Sequence, residues 1–161
     1  KIRSMRNHGL VDRNTVDQFG FVSRMDSIQA AILRYRLKVL PRVIKQRKKN
    51  VTLYRKLLGD NYVLHPQDKF GQDNSWHTFV IQVDQRDELQ AYLSSKGIET
   101  AIHYPVPIHL QPAARPFGYK RGDFPMAEVQ AKRILTLPVH QYLDEEKVEK
   151  IANCVNQFYE S

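Results

Sequence analysis

One long amphipathic pattern constrains the fold of this chain more than any other feature. Apolar residues recur at spacings of three and four over residues 26–58, Gly59 follows them, and Pro41 lies inside the stretch. The pattern predicts a single helix that bends at the proline and ends at the glycine, with Ser23 or Asp26 accepting hydrogen bonds from its first amides. A helix of about 33 residues is about 50 Å long. Because that exceeds the width of most small domains, we expect the helix to connect two bodies.

Short strands and helices are predicted to follow Gly59. Alternating or β-branched apolar residues indicate the strands, and spacings of three and four indicate the helices. The predicted elements are, in order, a strand over 76–83, a helix over 86–96, a strand over 98–104, a proline-rich loop through 122, a helix over 126–135, an extended piece over 137–139 and a helix over 144–159. We therefore expect the α/β class, as a small α+β domain whose antiparallel or mixed sheet carries helices on one face.

Positive charge is concentrated on the predicted long helix. Lys and Arg number 25 against 17 Asp and Glu, a net charge of +8, and residues 34–56 contain ten basic residues and no acidic one. Such a cluster can bind nucleic acid or another polyanion. It can also be a solvated helix face whose aliphatic stems cover apolar surface. Because the basic residues surround the helix and no nucleic-acid motif accompanies them, the second interpretation is favoured.

The composition argues against several classes of protein. Hydrophobic residues make up 42% and charged residues 26%, values typical of a globular protein and not of a disordered one. No apolar run approaches the roughly 20 residues of a transmembrane helix, so no membrane partner is expected. The single cysteine, Cys154, cannot form a disulfide within the chain, and with no signal-peptide pattern this predicts a cytoplasmic protein. The chain begins with Lys1, and we expect further residues upstream.

A proline-stiffened loop holds the candidate ligand-binding residues. His103, Tyr104, His109 and Gln111 lie close together in sequence around two prolines, and a stiff loop loses less entropy when it binds a ligand. None of the six histidines forms the i, i+4 pair of a helical zinc site, so no metal is expected. Nucleophile-elbow, Walker and dinucleotide-binding motifs are missing from the sequence. The residues alone therefore predict a basic α+β domain with one ligand-contacting loop.

Five sequence strings occur together and in a fixed order. They are RSMRNHG at 3–9, GFVSRMDSIQAAIL at 20–33, KGIETAIHYPVPIHLQP at 96–112, FPMAE at 124–128 and LTLPVH at 135–140. Together they resemble the C-terminal portion of the DegT/StrS family of pyridoxal-phosphate-dependent aminotransferases, which act on nucleotide-linked keto-sugars. The resemblance covers nearly the whole chain and implies the aspartate aminotransferase fold (fold type I). It implies that residues 1–25 are the tail of the large cofactor-binding domain, 26–58 the connecting helix and 59–161 the small C-terminal domain.

The resemblance also implies a reaction. Family members move an amino group from glutamate to a nucleotide-linked keto-sugar in amino-sugar and polysaccharide biosynthesis, and they are homodimers with shared active sites. The loop at 103–111 is more similar to members that aminate the sugar at C3 than to those that act at C4. In the family, the lysine that forms a Schiff base with pyridoxal phosphate lies upstream of the string at 3–9. No catalytic residue is therefore assigned to this chain, and we expect its 161 residues alone to be inactive.

The resemblance assigns two residues of the chain to the cofactor. Ser23 and Arg24 match a segment that reaches the cofactor of the neighbouring subunit. An asparagine of the family that contacts the cofactor phosphate is replaced here by Val22, whose side chain has no donor. One charge-assisted hydrogen bond is worth about 1.5–3 kcal/mol. This departure keeps open a non-catalytic or regulatory homologue of the same fold. The basic residues at 34–56 keep open a third alternative, a module that binds nucleic acid or another polyanion.

The same resemblance places four loop residues at the substrate. His103 and Tyr104 are expected to hydrogen-bond the sugar ring or the diphosphate of the nucleotide sugar. His109 and Gln111 are expected at the periphery of the site, with packing of the loop itself as the alternative role.

Overall fold

The computed structural model describes residues 1–160, which divide into two compact units. The first is formed by residues 1–41 and the second by the residues from 42 onwards, so the division falls inside a helix. No helix in the described part of the chain is both long enough and apolar enough to cross a membrane. The elements are helix α1 (Ile2–Met5), helix α2 (Ser27–Leu57), strand β1 (Val63–Leu64), strand β2 (Phe79–Val83), helix α3 (Arg86–Ser95), two 3-10 turns (Ile108–Leu110 and Pro112–Phe117), helix α4 (Pro125–Arg133), strand β3 (Ile134–Leu137) and helix α5 (Glu145–Glu160).

A three-stranded antiparallel sheet forms the second unit's framework, in the order β1–β2–β3. The register places Val63 opposite Val83 and Phe79 opposite Leu137. Along β2, Phe79, Ile81 and Val83 are fully buried, while the residues between them are half-buried. This alternation is expected of a strand that packs one face against a core, because successive side chains point to opposite faces.

Helices α2, α3 and α5 supply the other side of this core. Only the second half of α2 contributes, since its buried residues begin at Asn50. The buried apolar residues on the three helices are Val51, Tyr54, Leu89, Leu93, Val148, Ile151, Ala152, Cys154 and Val155. Cys154 is thus a packing residue, as its position on an amphipathic helix predicts.

Aspartates cap the two longest helices. Oδ1 of Asp26 accepts a hydrogen bond from the amide of Ile28 at 2.8 Å, and Oδ1 of Asp144 accepts one from the amide of Lys147 at 2.9 Å. Each bond satisfies an amide that has no partner within its helix. Of the two capping residues that the sequence offers for α2, the structure uses Asp26.

Two glycines allow the first unit to fold its N-terminal segment back on itself. The amide of Phe21 donates to the carbonyl of Met5 at 2.7 Å. At Gly9, where φ is +81°, a Cβ would collide with the carbonyl of Gln18, and at Gly20 it would lie 2.5 Å from the carbonyl oxygen of Met5. Only glycine fits at both positions, because any side chain would separate the two backbone segments.

The prediction of a strand over residues 98–104 is wrong. The structure has a single bridge there, in which Ala101 donates to Thr136 at 3.2 Å and accepts from it at 2.7 Å. The alternation that suggested a strand has another cause, since Ile98 is buried in the core without pairing to a neighbouring strand. Residues 102–105 belong to no strand or bridge. A short strand that the sequence did not predict, β1, pairs with β2.

The boundary between α4 and β3 also differs from the prediction. The helix expected to extend to residue 135 ends at Arg133, and β3 starts at Ile134. Pairing with β2 decides the boundary, because Ile134 lies opposite Gln82 and Leu135 opposite Ile81. Tertiary pairing here overrides a local helical pattern.

Buried polar side chains of α2 hold the loop that follows β3. Nδ2 of Asn50 donates to the carbonyls of His140 at 3.2 Å and Leu143 at 3.4 Å, and Gln46 donates to Oδ1 of Asn50 at 3.0 Å. The hydroxyl of Tyr54 donates to the carbonyl of Pro138 at 2.9 Å. Burial raises the pKa of Tyr54, so this hydroxyl keeps its proton and remains a donor.

Replacing Asn50 by Leu should lower the free energy of unfolding by about 1–3 kcal/mol. The carbonyls of His140 and Leu143 would each lose one of two donors, and the side-chain amide of Gln46 would lose the Asn50 oxygen to which it donates. Urea denaturation followed by circular dichroism measures the change. Asn74→Ala is the matched control, since Asn74 makes one bond at the surface, to Asp68 at 3.3 Å, and its loss should cost less than about 0.5 kcal/mol. Equal losses in the two variants would contradict the role assigned to Asn50.

Candidate functional site

A cavity of about 1080 Å³ lies in the second unit, where the loop after Ala101 faces α4. All four loop residues that the sequence proposed for the substrate line it, namely His103, Tyr104, His109 and Gln111. Aromatic and aliphatic side chains form most of the remaining wall, among them Ile108, Phe117, Tyr119 and Phe124. A mostly apolar cavity with a few convergent polar groups is the usual form of a small-molecule site.

The imidazole of His103 is anchored at one nitrogen. Its Nδ1 lies 2.9 Å from Oγ1 of Thr136 on β3, and its ring meets the ring of Tyr104 edge-on at 5.3 Å between centroids. Tyr104 itself is 71% exposed. Nε2 of His103 and the phenol of Tyr104 are therefore the polar groups that these two residues offer to a ligand.

His109 and Gln111 make contacts within the loop and its supporting helix. Nε2 of His109 lies 3.0 Å from Oε1 of Glu128, and the two side chains are only 7% and 13% exposed. Nε2 of Gln111 donates to the carbonyl of Val106 at 3.2 Å. These atoms stabilise the loop, which is the alternative role that the sequence left open for this pair.

Glu128, in the first turn of α4, joins two parts of the cavity wall. Its Oε1 accepts from the amide of Gly122 at 2.7 Å as well as contacting His109. The Gly122 amide, the His109 ring and the charge of Arg121 hold the pKa of Glu128 below its ordinary value of 4.5. The carboxylate is therefore ionised at neutral pH and closes the loop between residues 109 and 122.

Sequence reasoning missed both Thr136 and Glu128. They lie in the quoted strings LTLPVH and FPMAE, but no role was assigned to either. Their partners are 33 and 19 residues away in the chain. The one available signal for Glu128 is an acidic residue in the first turn of a helix, three residues after Pro125. It indicates only a favourable helix start.

The first unit contains the two residues proposed for the cofactor. Arg24 lines a concavity of about 470 Å³ together with Asn7, His8, Asp12 and Arg13. Oδ1 of Asp12 is occupied by amides of its own turn, and these bonds hold the pKa of Asp12 below its ordinary value. The remaining polar side chains are mainly donors, a set suited to an anion such as phosphate.

The backbone next to Arg24 follows a bridge between two segments. Val22 pairs with Asn7 and is 68% exposed. Ser23 donates its amide to the carbonyl of Arg6 at 2.9 Å. Within residues 1–160, no three His, Cys, Asp or Glu side chains lie close enough together to hold a metal ion.

Carboxylates neutralise part of the positive charge on the second half of α2. Lys48 pairs with Asp73, and Lys49 lies 2.5 Å from Glu145. Arg55 lies 2.6 Å from Asp68, and its guanidinium stacks over Trp76 at 4.8 Å. These cations fasten neighbouring loops and α5 to the helix, which reduces the charge left for a polyanion.

Comparison with known proteins gives a clear family assignment. The model of the DegT/DnrJ/EryC1/StrS aminotransferase family matches residues 1–156. The chain belongs to this family. It is 38% identical over 162 residues to the "Pleiotropic regulatory protein" of Geobacillus stearothermophilus, covering 99% of this chain and 44% of the relative. It is 33% identical over 161 residues to the dTDP-3-amino-3,4,6-trideoxy-alpha-D-glucose transaminase of Streptomyces venezuelae, covering 99% of this chain and 42% of that protein.

A solved structure extends the family assignment to the fold. The crystal structure of S. venezuelae DesV in complex with a ketimine intermediate superposes with a TM-score of 0.93 at 33% identity, covering 99% of this chain and 43% of the other. The family model describes aminotransferases, and sugar transaminases are among the relatives of this chain. The prediction that the chain has the fold of their C-terminal portion is confirmed, and its sheet is antiparallel. The chain spans less than half the length of these relatives.

The amide proton of Gly122 should report the ionisation of Glu128. Because the pKa of Glu128 is lowered, its bonds stabilise the loop above the unfolded pKa and are lost as pH falls through the folded pKa. We expect the Gly122 amide shift to titrate with a midpoint below 4.5, as measured by ¹H–¹⁵N correlation spectra between pH 3 and 7. The titration should vanish in Glu128→Gln.

The amide of Gly118 provides the internal control, since it donates to the carbonyl of Arg115 and not to a carboxylate. A midpoint at or above 4.5 for Gly122, or an unchanged titration in Glu128→Gln, would contradict the assigned contact.

Proposed function

We propose that this chain is the C-terminal part of a pyridoxal-phosphate-dependent aminotransferase that moves an amino group from glutamate to a nucleotide-linked keto-sugar. One observation carries the proposal: in a chain of this family, a single cavity collects His103, Tyr104, His109 and Gln111. Residues 1–25 would then belong to the large domain, 26–58 to the connecting helix and 59–161 to the small domain.

The chain's own residues would bind and orient the sugar nucleotide. Nε2 of His103 and the exposed phenol of Tyr104 can hydrogen-bond hydroxyl or diphosphate oxygens. The apolar wall around Phe117 and Phe124 suits the less polar face of a sugar ring and excludes water from it. His109 would act indirectly, by holding the wall against Glu128.

The donors of the first unit fit the phosphate end of the cofactor. Arg24 would hold that group, with Ser23 beside it and with Asn7 and Arg13 in the same concavity. When bound, pyridoxal phosphate supplies the electron sink through which an amino group is moved between carbon atoms. Because the catalytic lysine is not assigned to this chain, we propose that these residues alone are inactive.

Amination at C3 is the proposed position on the sugar. The similarity of the loop at 103–111 to C3-acting members supports it. The name of the S. venezuelae transaminase, which specifies a 3-amino sugar, supports it as well.

A homodimer with shared active sites is the proposed assembly. It is supported by the exposed apolar residues on the first half of α2, including Ile28, Tyr35 and Leu37, which are 71%, 69% and 66% exposed.

Cytoplasmic location is proposed from Cys154, a buried free thiol, since reducing compartments keep thiols unpaired.

A transamination assay with the complete protein tests this proposed activity. With pyridoxal phosphate, glutamate and a nucleotide-linked 3-keto-sugar, we expect mass spectrometry to detect the 3-amino product and 2-oxoglutarate in equal amounts. The 4-keto isomer should react more slowly. Failure to aminate either sugar would contradict the proposed activity, and a faster reaction with the 4-keto isomer would contradict the C3 assignment.

A regulatory homologue is the second candidate. Val22, which lacks the donor of the family's asparagine, favours it, as does the name of the G. stearothermophilus relative. In the same experiment, this candidate predicts that the complete protein binds the nucleotide sugar without forming an amino product.

Loop variants test the substrate site in the complete enzyme. His103→Ala and Tyr104→Phe should each raise the KM for the sugar substrate about threefold to tenfold, the effect of one lost hydrogen bond. Initial rates at saturating glutamate measure it. Tyr142→Phe is the matched control, because Tyr142 is 79% exposed and lies outside the cavity lining. An unchanged KM in both loop variants would remove the loop from the site.

A further inference from the structure

In the described part of the chain, the one buried hydroxyl within hydrogen-bonding distance of the His103 ring belongs to Thr136. Oγ1 of Thr136 lies 2.9 Å from Nδ1 of His103, although 33 residues separate the two in sequence. Thr136 itself is only 8% exposed and makes no part of the cavity lining around His103. The contact with His103 therefore connects this hydroxyl to that cavity.

The backbone of Thr136 is held on both sides. On one side it lies opposite Val80 in the β2–β3 ladder. On the other side its amide donates to Ala101 at 2.7 Å and its carbonyl accepts from Ala101 at 3.2 Å. Since β-branched side chains have few rotamers, a fixed backbone also fixes the position of the hydroxyl.

We propose that Thr136 is a positioning residue for the nucleotide-sugar site. Its hydroxyl holds the imidazole of His103 by Nδ1 and leaves Nε2 as the ring nitrogen that binds the ligand. This inference rests on the proposed function, because it needs His103 to contact the substrate. It adds a polar side chain from the sheet to a site whose polar lining residues come from the loop and α4.

A hydroxyl suits this role better than a charged group. It can donate to a bare Nδ1 or accept from a protonated one, so it holds the ring in either protonation state. A valine at this position would have nearly the same shape but would leave Nδ1 without a partner. A serine would keep the hydroxyl with less restriction of its rotamer.

Binding of intact nucleotide sugars to the complete protein tests the proposal without requiring catalysis. Isothermal titration with dTDP-glucose and UDP-N-acetylglucosamine gives the Kd for each variant. Taking the probe that binds more tightly, we expect His103→Ala and Thr136→Val each to weaken binding about threefold to tenfold, as one hydrogen bond would. Thr136→Ser should restore the Kd to within about twofold of the wild type.

Thr100→Val is the matched control for the loss of a threonine hydroxyl. Oγ1 of Thr100 accepts a bond from Gln90 at 3.2 Å, and Thr100 lies outside the lining of the His103 cavity. Its Kd should equal that of the wild type. A loss as large as that of Thr136→Val would show a general effect of removing hydroxyls and would overturn the proposal.

The double variant separates positioning from a general structural effect. If Thr136 acts through His103, adding Thr136→Val to His103→Ala should cause no further loss of affinity. A multiplicative loss would show that Thr136 acts independently of the histidine and would overturn the inference.

The same binding data distinguish failure of the proposed substrate site from failure of the positioning role of Thr136. If His103→Ala leaves the Kd of both probes unchanged, the loop is not a nucleotide-sugar site, and the proposed function of the loop falls together with the role of Thr136. If His103→Ala weakens binding and Thr136→Val does not, only the positioning role is wrong.

Discussion

The pairing of β3 with β2 is the interaction on which the rest of the second unit depends. It buries Leu135 and Leu137 against the core on one face. On the other face it presents Thr136 to the loop that carries His103. A strand of only four residues thus closes the hydrophobic core and supports the cavity at the same time, so that the stability of the core and the geometry of the site are set by the same hydrogen bonds.

The helices could be predicted from the sequence better than the strands. Spacings of three and four locate α2, α3 and α5, because a helix satisfies its hydrogen bonds locally. The sheet depends on partners far along the chain, so the alternation at 98–104 predicts a strand although it reflects burial of Ile98. For the same reason the local pattern at residues 134 and 135 predicts a continuation of α4, although pairing with Gln82 and Ile81 makes these residues part of β3.

The candidate site was predicted in its composition but not in its internal contacts. Residues close in sequence could be assigned to one loop, and the structure places all four in one cavity. The division of roles between His103, with a free Nε2, and His109, bound to Glu128, depends on partners that no local pattern reveals. The positive charge of α2 was a weaker guide, because Asp68, Asp73 and Glu145 come from other segments and neutralise part of it.

The carboxylate of Glu128 joins the cavity wall at both ends, at His109 and at Gly122. The chain between these two points can therefore change in length and sequence while its ends stay fixed. Lengthening a closed loop adds little entropy cost, which rises only with the logarithm of its length. Insertions or deletions there would reshape the wall that includes Phe117 and Tyr119 without disturbing the sheet beneath it. The clamp thus makes the volume of this cavity adjustable during evolution while the fold remains constant.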